Sequence, residues 1–161
     1  MTTLYTEMPS PLGRLLLLTA EDGALTGVHF PGEQKHDRPR QPDWLRADDA
    51  PVLASARSQV AEYFDGRRTA FDLPLAPRGT PFQQAVWHAL LAVPFGATST
   101  YGAIAAAIGR PTAVRAVGAA IGANPIGIVI PCHRIVGADG SLTGYAGGLD
   151  RKAKLLAVER R

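Results

Sequence analysis

Apolar positions change their period along this chain, and the change divides it. In the first part, short apolar runs at 4–8, 14–19 and 25–30 are separated by turn residues, Pro9-Ser10-Pro11 and then Glu21-Asp22-Gly23. They predict three strands of a small sheet. A polar, Pro-containing loop is expected over 31–49. The spacing then becomes helical: Leu53, Ala56, Val60 and Phe64 share one face of a predicted helix over 51–64, with Gly66 as its stop. Residues 71–79, with prolines in and beside them, read as a linker.

The second part is mainly helical. Thr80-Pro81-Phe82-Gln83 is a helix start, with an N-cap Thr, Pro at the first helical position and Gln placed to close a capping box. Phe82, Val86, Ala89, Leu90 and Val93 mark its buried stripe, and Pro94 stops it. Trp87 and His88 on this helix read as packing residues. Two short helices follow, over 101–108 (capped by Thr100) and 112–121, separated only by Gly109-Arg110-Pro111, which is helix-turn-helix spacing. Val114, Val117 and Ile121 should face inward. Arg115, Gly118, Ala119 and Gly122 form an outward face with one long side chain. That face lacks the residues that read base edges, but it permits close approach to a narrow groove. The run 126–130 looks like a strand ending at Pro131, and Asp150 reads as the cap of a last helix over 151–159. The fold class is therefore α+β: a small N-terminal sheet-and-helix domain (1–75), then a mainly helical domain (76–161).

Composition sharpens the division. Residues 1–79 carry 9 Lys and Arg against 11 Asp and Glu, a net −2, whereas residues 80–161 carry 8 against 3, a net +5. Such asymmetry suits a polyanion partner for the second part. The longest Leu run, 15–18, is far too short to span a membrane. No basic leader precedes an apolar stretch at the start, and a single cysteine allows neither an internal disulfide nor a Cys-rich zinc site. A cytoplasmic protein without membrane association is expected.

That cysteine, Cys132, lies in Pro131-Cys132-His133-Arg134 behind the apolar run. A lone cysteine is most often a small buried hydrophobe, but cationic neighbours favour thiolate over thiol. In an extended backbone Cys132 and His133 would point to opposite sides. A histidine acting as base needs an orienting carboxylate, and residues 80–161 hold only Asp139, Asp150 and Glu159. Asp139 reads as a turn residue and Asp150 as a cap, which leaves Glu159. The Gly-rich stretch 141–148 could expose backbone N–H groups to a ligand, yet it has neither Walker nor dinucleotide spacing.

Ile130-Pro131-Cys132-His133-Arg134-Ile135 resembles the active-site motif of the O6-alkylguanine-DNA alkyltransferases, which are direct-reversal DNA repair proteins. The resemblance spans about 79 to 159. It takes in Pro94-Phe95-Gly96, Ser99-Thr100-Tyr101, Ala116-Val117-Gly118, Asn124-Pro125 and Gly144-Tyr145-Ala146-Gly147-Gly148-Leu149, and Phe64-Asp65-Gly66 resembles the end of the family's N-terminal domain. The resemblance implies that Cys132 accepts the alkyl group of O6-alkylguanine, and of O4-alkylthymine, once per molecule. His133 would take the thiol proton through a water, Glu159 would orient His133, and Tyr101 would donate a proton to the leaving guanine. Asn124 would hold the hinge before the cysteine segment. Arg115 would enter the duplex where the extruded nucleotide was, with Thr100, Ala116, Gly118 and Ala119 also at the DNA. Tyr101, Ile135, Tyr145 and Ala146 would form the substrate pocket. The implied partner is double-stranded DNA, bound through the minor groove without sequence specificity by a monomer, and no metal or organic cofactor is implied. Two features depart from relatives: there are no cysteines for the zinc site that some carry, and Gly127 stands where several have Pro. The nearest rival, an alkyltransferase-like protein that binds lesions without repairing them, would lack the acceptor cysteine; a transcription regulator and a turning-over thiol hydrolase are the competing classes. The regulator would need base-reading side chains over 112–122, and the hydrolase an oxyanion hole near Cys132.

Overall fold

The computed structural model describes residues 2–13, 15–31, 40–145 and 148–160. The N-terminal sheet has the order β3-β2-β1-β4, formed by β1 (Leu4–Met8), β2 (Leu16–Glu21), β3 (Ala24–His29) and the two-residue β4 (Leu45–Arg46). β1 and β3 both run antiparallel to β2, and β4 pairs parallel with β1. Leu16, Leu18 and Ala20, alternate residues of β2, point into the core, and Leu17, Thr19 and Glu21 between them are buried as well. α1 (Pro51–Phe64) covers that face with Leu53, Ala56 and Val60, all fully buried. Pro51 opens α1, and Gly66, at φ 75°, closes it with a reversal that only glycine adopts without strain.

The second part holds α2 (Pro81–Leu90), β5 (Ser99–Thr100), α3 (Tyr101–Ala107), α4 (Val114–Gly122), a 3-10 turn (Cys132–Arg134), β6 (Ile135–Val136) and α5 (Leu149–Glu159). The predicted capping box at α2 forms in both directions: Gln83 N donates to Thr80 Oγ1 (3.2 Å) and Thr80 N donates to Gln83 Oε1 (2.9 Å). One apolar core runs through both parts, from Leu18 and Val28 through Tyr63 and Trp87 to Cys132 and Leu155. Backbone bonds also join them, since Val28 N donates to Pro125 O (3.0 Å) and Gly127 N to Val28 O (3.2 Å).

Several expected boundaries move, each for a local reason. β2 starts at Leu16, where pairing with Met8 begins, and continues to Glu21; Leu15 is 50% exposed and Arg14 lies outside the described residues. β4 occurs within the expected 31–49 loop, because Leu45 and Arg46 gain pairing along the open edge of β1. α4 begins at Val114, which is 40% exposed rather than inward; Ala120 joins Val117 and Ile121 on the buried face. α5 begins at Leu149 with Gly148 as its N-cap, so Asp150 lies inside the first turn, where its charge complements the helix dipole.

The largest correction concerns 126–130. This run is a set of buried turns, with only Ile126 bridging to Val28. Val129 N donates to Gly127 O (2.7 Å) and Ile130 N to Ile126 O (3.0 Å), which folds the chain back on itself. Its residues are apolar because the core surrounds them on all sides, and an apolar run alone does not separate a buried turn from a buried strand.

Trp87 carries more than packing. Its buried indole Nε1 donates to the Ala120 carbonyl at 2.8 Å, tying α2 to α4. Trp87→Phe leaves that carbonyl short of a donor and opens a void beside it. It should lower unfolding free energy by about 2 kcal/mol, measured by urea denaturation. A change within about 0.5 kcal/mol would show that the indole contact carries no weight.

Candidate active site

Asn124 shapes the approach to the cysteine. Its Nδ2 donates to the Ile130 carbonyl (2.9 Å), and its Oδ1 accepts from Ile126 N (3.0 Å), so one side chain closes the whole turn. Ile128 inside it has φ 70°, a left-handed conformation costly for a β-branched residue. After Pro131 the chain enters the 3-10 turn, in which Cys132 N donates to Ile130 O (2.8 Å) and Arg134 N to Pro131 O (3.0 Å). The extended backbone expected here is absent. At three residues per turn, successive side chains diverge by roughly 120° instead of alternating between two faces.

Cys132 is 5% exposed. Burial pushes its thiol up, opposed by a hydrogen bond with the Asn124 side chain and by the positive charge of Lys152. His133 is wholly buried, with Nε2 2.7 Å from Glu159 Oε2 and no hydrogen-bond partner at Nδ1. The carboxylate selects the tautomer: Nε2–H donates, and Nδ1 keeps a free lone pair. Burial holds this imidazole below its ordinary range despite the pull of Glu159, and the Arg134 and Lys152 charges act in the same direction as burial. His133 is therefore a neutral acceptor at pH 7.

Glu159 collects donors from several parts of the chain. Oε2 accepts from His133 Nε2, Arg134 Nη2 (3.0 Å) and the Tyr63 hydroxyl (2.6 Å); Oε1 accepts from Arg134 Nε (2.8 Å) and Gly96 N (3.3 Å). Burial alone would raise this carboxyl, but hydrogen bonds from His133, Arg134 and Tyr63 outweigh it and hold the group at about 2. Arg134 also donates to the Val93 carbonyl (2.7 Å), so its charge is fully engaged away from the thiol.

Tyr101 reaches this region through a parallel pairing that no sequence pattern announced. Ser99 pairs with Ile135 and Thr100 with Val136, which sets the first turn of α3 beside the cysteine segment. Thr100 Oγ1 caps α3 through Ala103 N (3.1 Å). The Tyr101 hydroxyl donates to Thr143 O (3.2 Å), and a Cβ at Gly118 would lie 3.8 Å from its ring. Gly118 thus serves packing under Tyr101 as well as leaving α4 bare, while Arg115, Ala116 and Ala119 are exposed. Fully buried Lys152 donates from α5 to the carbonyls of Thr143 (2.6 Å) and Gly144 (3.3 Å), pinning the loop over the site. Tyr145 packs edge-on to Phe30, and its hydroxyl is buried without a hydrogen bond. Burial raises this phenol well above its ordinary value. Ile135 is buried in β6, and Ala146 lies outside the described residues. Among the described residues no three His, Cys, Asp or Glu side chains converge in a way that could hold a metal ion.

Residues 81–161 match the DNA-binding domain, and residues 3–77 the ribonuclease-like domain, of 6-O-methylguanine DNA methyltransferase. The chain belongs to the 6-O-methylguanine DNA methyltransferase family. Among its curated relatives, the methylated-DNA--protein-cysteine methyltransferase of Haemophilus influenzae is 48% identical over 163 residues, covering 99% of this chain and 88% of the relative. The constitutive one of Bacillus subtilis is 45% identical, covering 97% and 94%. Among solved structures, Mycobacterium tuberculosis OGT in complex with DNA superposes with a TM-score of 0.87 at 46% identity, covering 98% of this chain and 92% of that one.

The structure thus brings together Cys132, His133, Glu159 and Asn124, with Tyr101 across the loop from them. Sequence reasoning missed three members of the cluster. Tyr63 showed only as a residue in an amphipathic helix, Lys152 as one of several charges on α5, and Arg134 as a cation near the thiol. A carboxylate held this low stabilises the fold fully above its ordinary value of 4.5, and that contribution is lost as pH falls through 4.5 towards 2. Glu159→Gln should therefore be clearly less stable than the parent at pH 7, with the gap narrowing from about pH 5 to about pH 3 in urea titrations. A gap of constant size would show that the carboxylate charge is not what Glu159 contributes.

Proposed function

We propose that this protein repairs DNA by direct reversal, moving the alkyl group of O6-alkylguanine onto Cys132. The observation that carries the reading is the buried Cys132–His133–Glu159 arrangement, set against a helix-turn-helix with a bare outer face, in a chain of this family. The thiol proton passes to His133 Nδ1, by way of a water, and Glu159 steadies the imidazolium that forms. The sulfur then attacks the alkyl carbon, the carbon–O6 bond breaks, and Tyr101 gives the departing guanine its proton. The product is a thioether, which water does not readily cleave, and there is no second cysteine to resolve it. Each molecule therefore reacts once. No cofactor enters the electron balance.

The target base is buried in the stack and must be flipped out. Arg115, exposed on α4, fills the gap in the duplex, and Thr100, Ala116, Gly118 and Ala119 lie along the DNA. The small side chains of this face fit the minor groove without reading sequence. Asn124 holds the hinge between α4 and the cysteine, while Ile135, Tyr145 and Ala146 join Tyr101 around the base. O4-alkylthymine is the second substrate. The chain acts as a cytoplasmic monomer, with 1–75 as a structural domain and 76–161 as the domain that binds DNA and reacts; among the described residues no helix is long and apolar enough to cross a membrane.

Intact-protein mass after incubation with a duplex carrying one O6-methylguanine should rise by a single methyl group. Cys132→Ser should show no gain yet bind the duplex nearly as well as the parent. Methyl transfer in that variant would overturn the assignment of the acceptor.

Arg115→Ala should lose far more rate on duplex DNA than on free O6-methylguanine base, because only the duplex requires flipping. Each 1.4 kcal/mol lost there corresponds to about a tenfold slower reaction at subsaturating DNA. Equal losses on both substrates would place Arg115 in support of the pocket rather than in the duplex.

A further inference from the structure

Tyr63 stands apart from the other groups at Glu159 because it comes from the N-terminal half, 96 residues away in sequence. Its ring is fully buried and held edge-on by Phe64 and Phe95, with Phe71 tilted against it. A phenylalanine would satisfy that aromatic cluster. The hydroxyl is aimed at a carboxylate that the Arg134 fork already engages at both oxygens. It also selects Oε2, the oxygen that His133 uses, so two neutral donors converge on one atom.

Building on the transfer reaction proposed above, we infer that Tyr63 is a positioning residue for it, acting through Glu159 on His133. The hydroxyl fixes Oε2 so that the imidazole presents Nδ1 towards the thiol. It also draws electron density from the carboxylate, which restrains how strongly Glu159 stabilises a charged imidazole. The charged groups acting on His133 besides Glu159 are Arg134 from the 3-10 turn and Lys152 from α5, and Tyr145 lies within electrostatic reach of Cys132, Tyr63 and Arg151. None of the other groups touching Glu159 comes from the first 75 residues among the described contacts, so Tyr63 gives the N-terminal half a direct part in the chemistry.

The test is the pH profile of the single-turnover rate of methyl transfer from an O6-methylguanine duplex, with the reaction amplitude giving the active fraction separately. In Tyr63→Phe the carboxylate is relieved of one donor and holds imidazolium more strongly. The acid limb, where His133 must be neutral, should move to higher pH by about half a unit or more, and loss of the fixed imidazole orientation should lower the plateau rate above that limb about tenfold. A purely structural role would lower the amplitude or the melting temperature and leave the limb where it was, and that result would overturn the inference. Should Tyr63→Phe fail to fold, 3-fluorotyrosine at position 63 keeps ring and hydroxyl while strengthening the donor. It should move the limb to lower pH, and an unmoved limb would again overturn the inference. If the parent protein itself transfers no methyl group, the function proposed above fails instead, and the two failures are distinct.

Discussion

A carboxylate sealed from water has to be matched by donors, and Glu159 is matched by five from four residues on three separate segments. An isolated buried charge would cost several kcal/mol. The helix that carries Glu159 can therefore dock only where Tyr63, Gly96, His133 and Arg134 are already directed at it. Arg134 is bound by the same constraint from the other side, because its guanidinium is buried and, among the described residues, gives its protons to Glu159 and the Val93 carbonyl. His133 occupies what remains of the carboxylate, and its outward nitrogen is left as an acceptor.

The helix-turn-helix and the cysteine segment are joined by short elements rather than by a shared helix. β5 and β6 pair over only two residues each, yet they place Tyr101 at both the helix-turn-helix and the cysteine segment. Gly118 lets the Tyr101 ring lie against α4, and Trp87 holds α4 to α2 through Ala120. On the other side, β3 grips the Asn124–Gly127 stretch through Val28. The cysteine turn is thus held between the N-terminal sheet and the helical part.

Much of this was legible because local rules and tertiary demands agree. Thr80 and Gln83 form the capping box that their spacing implies, and α1 keeps its predicted limits because Pro51 and Gly66 punctuate an unbroken apolar face. Cys132, His133 and Glu159 could be singled out since the second half holds one thiol and only three carboxylates. Reading failed where tertiary structure overrides the local pattern. The 126–130 run is apolar from all-round burial, so its composition conceals a turn that only the Asn124 amide reveals. β4, β5 and β6 are too short for any periodicity. Tyr63 and Lys152 were invisible as site residues because an amphipathic pattern says which face is buried, not which buried hydroxyl or ammonium meets a partner from a distant segment.

The 96-residue separation between Tyr63 and Glu159 also bears on how the molecule comes together. Bringing groups so far apart in sequence together costs loop-closure entropy, which packing of both halves has to offset. With α5 undocked, the Tyr63 phenol and the Arg134 guanidinium would lack the carboxylate that both engage, and His133 would lose the partner that sets its tautomer. A chain without that helix in place would therefore be chemically idle, so the contact that matches the buried charges is also the one that arms the cysteine.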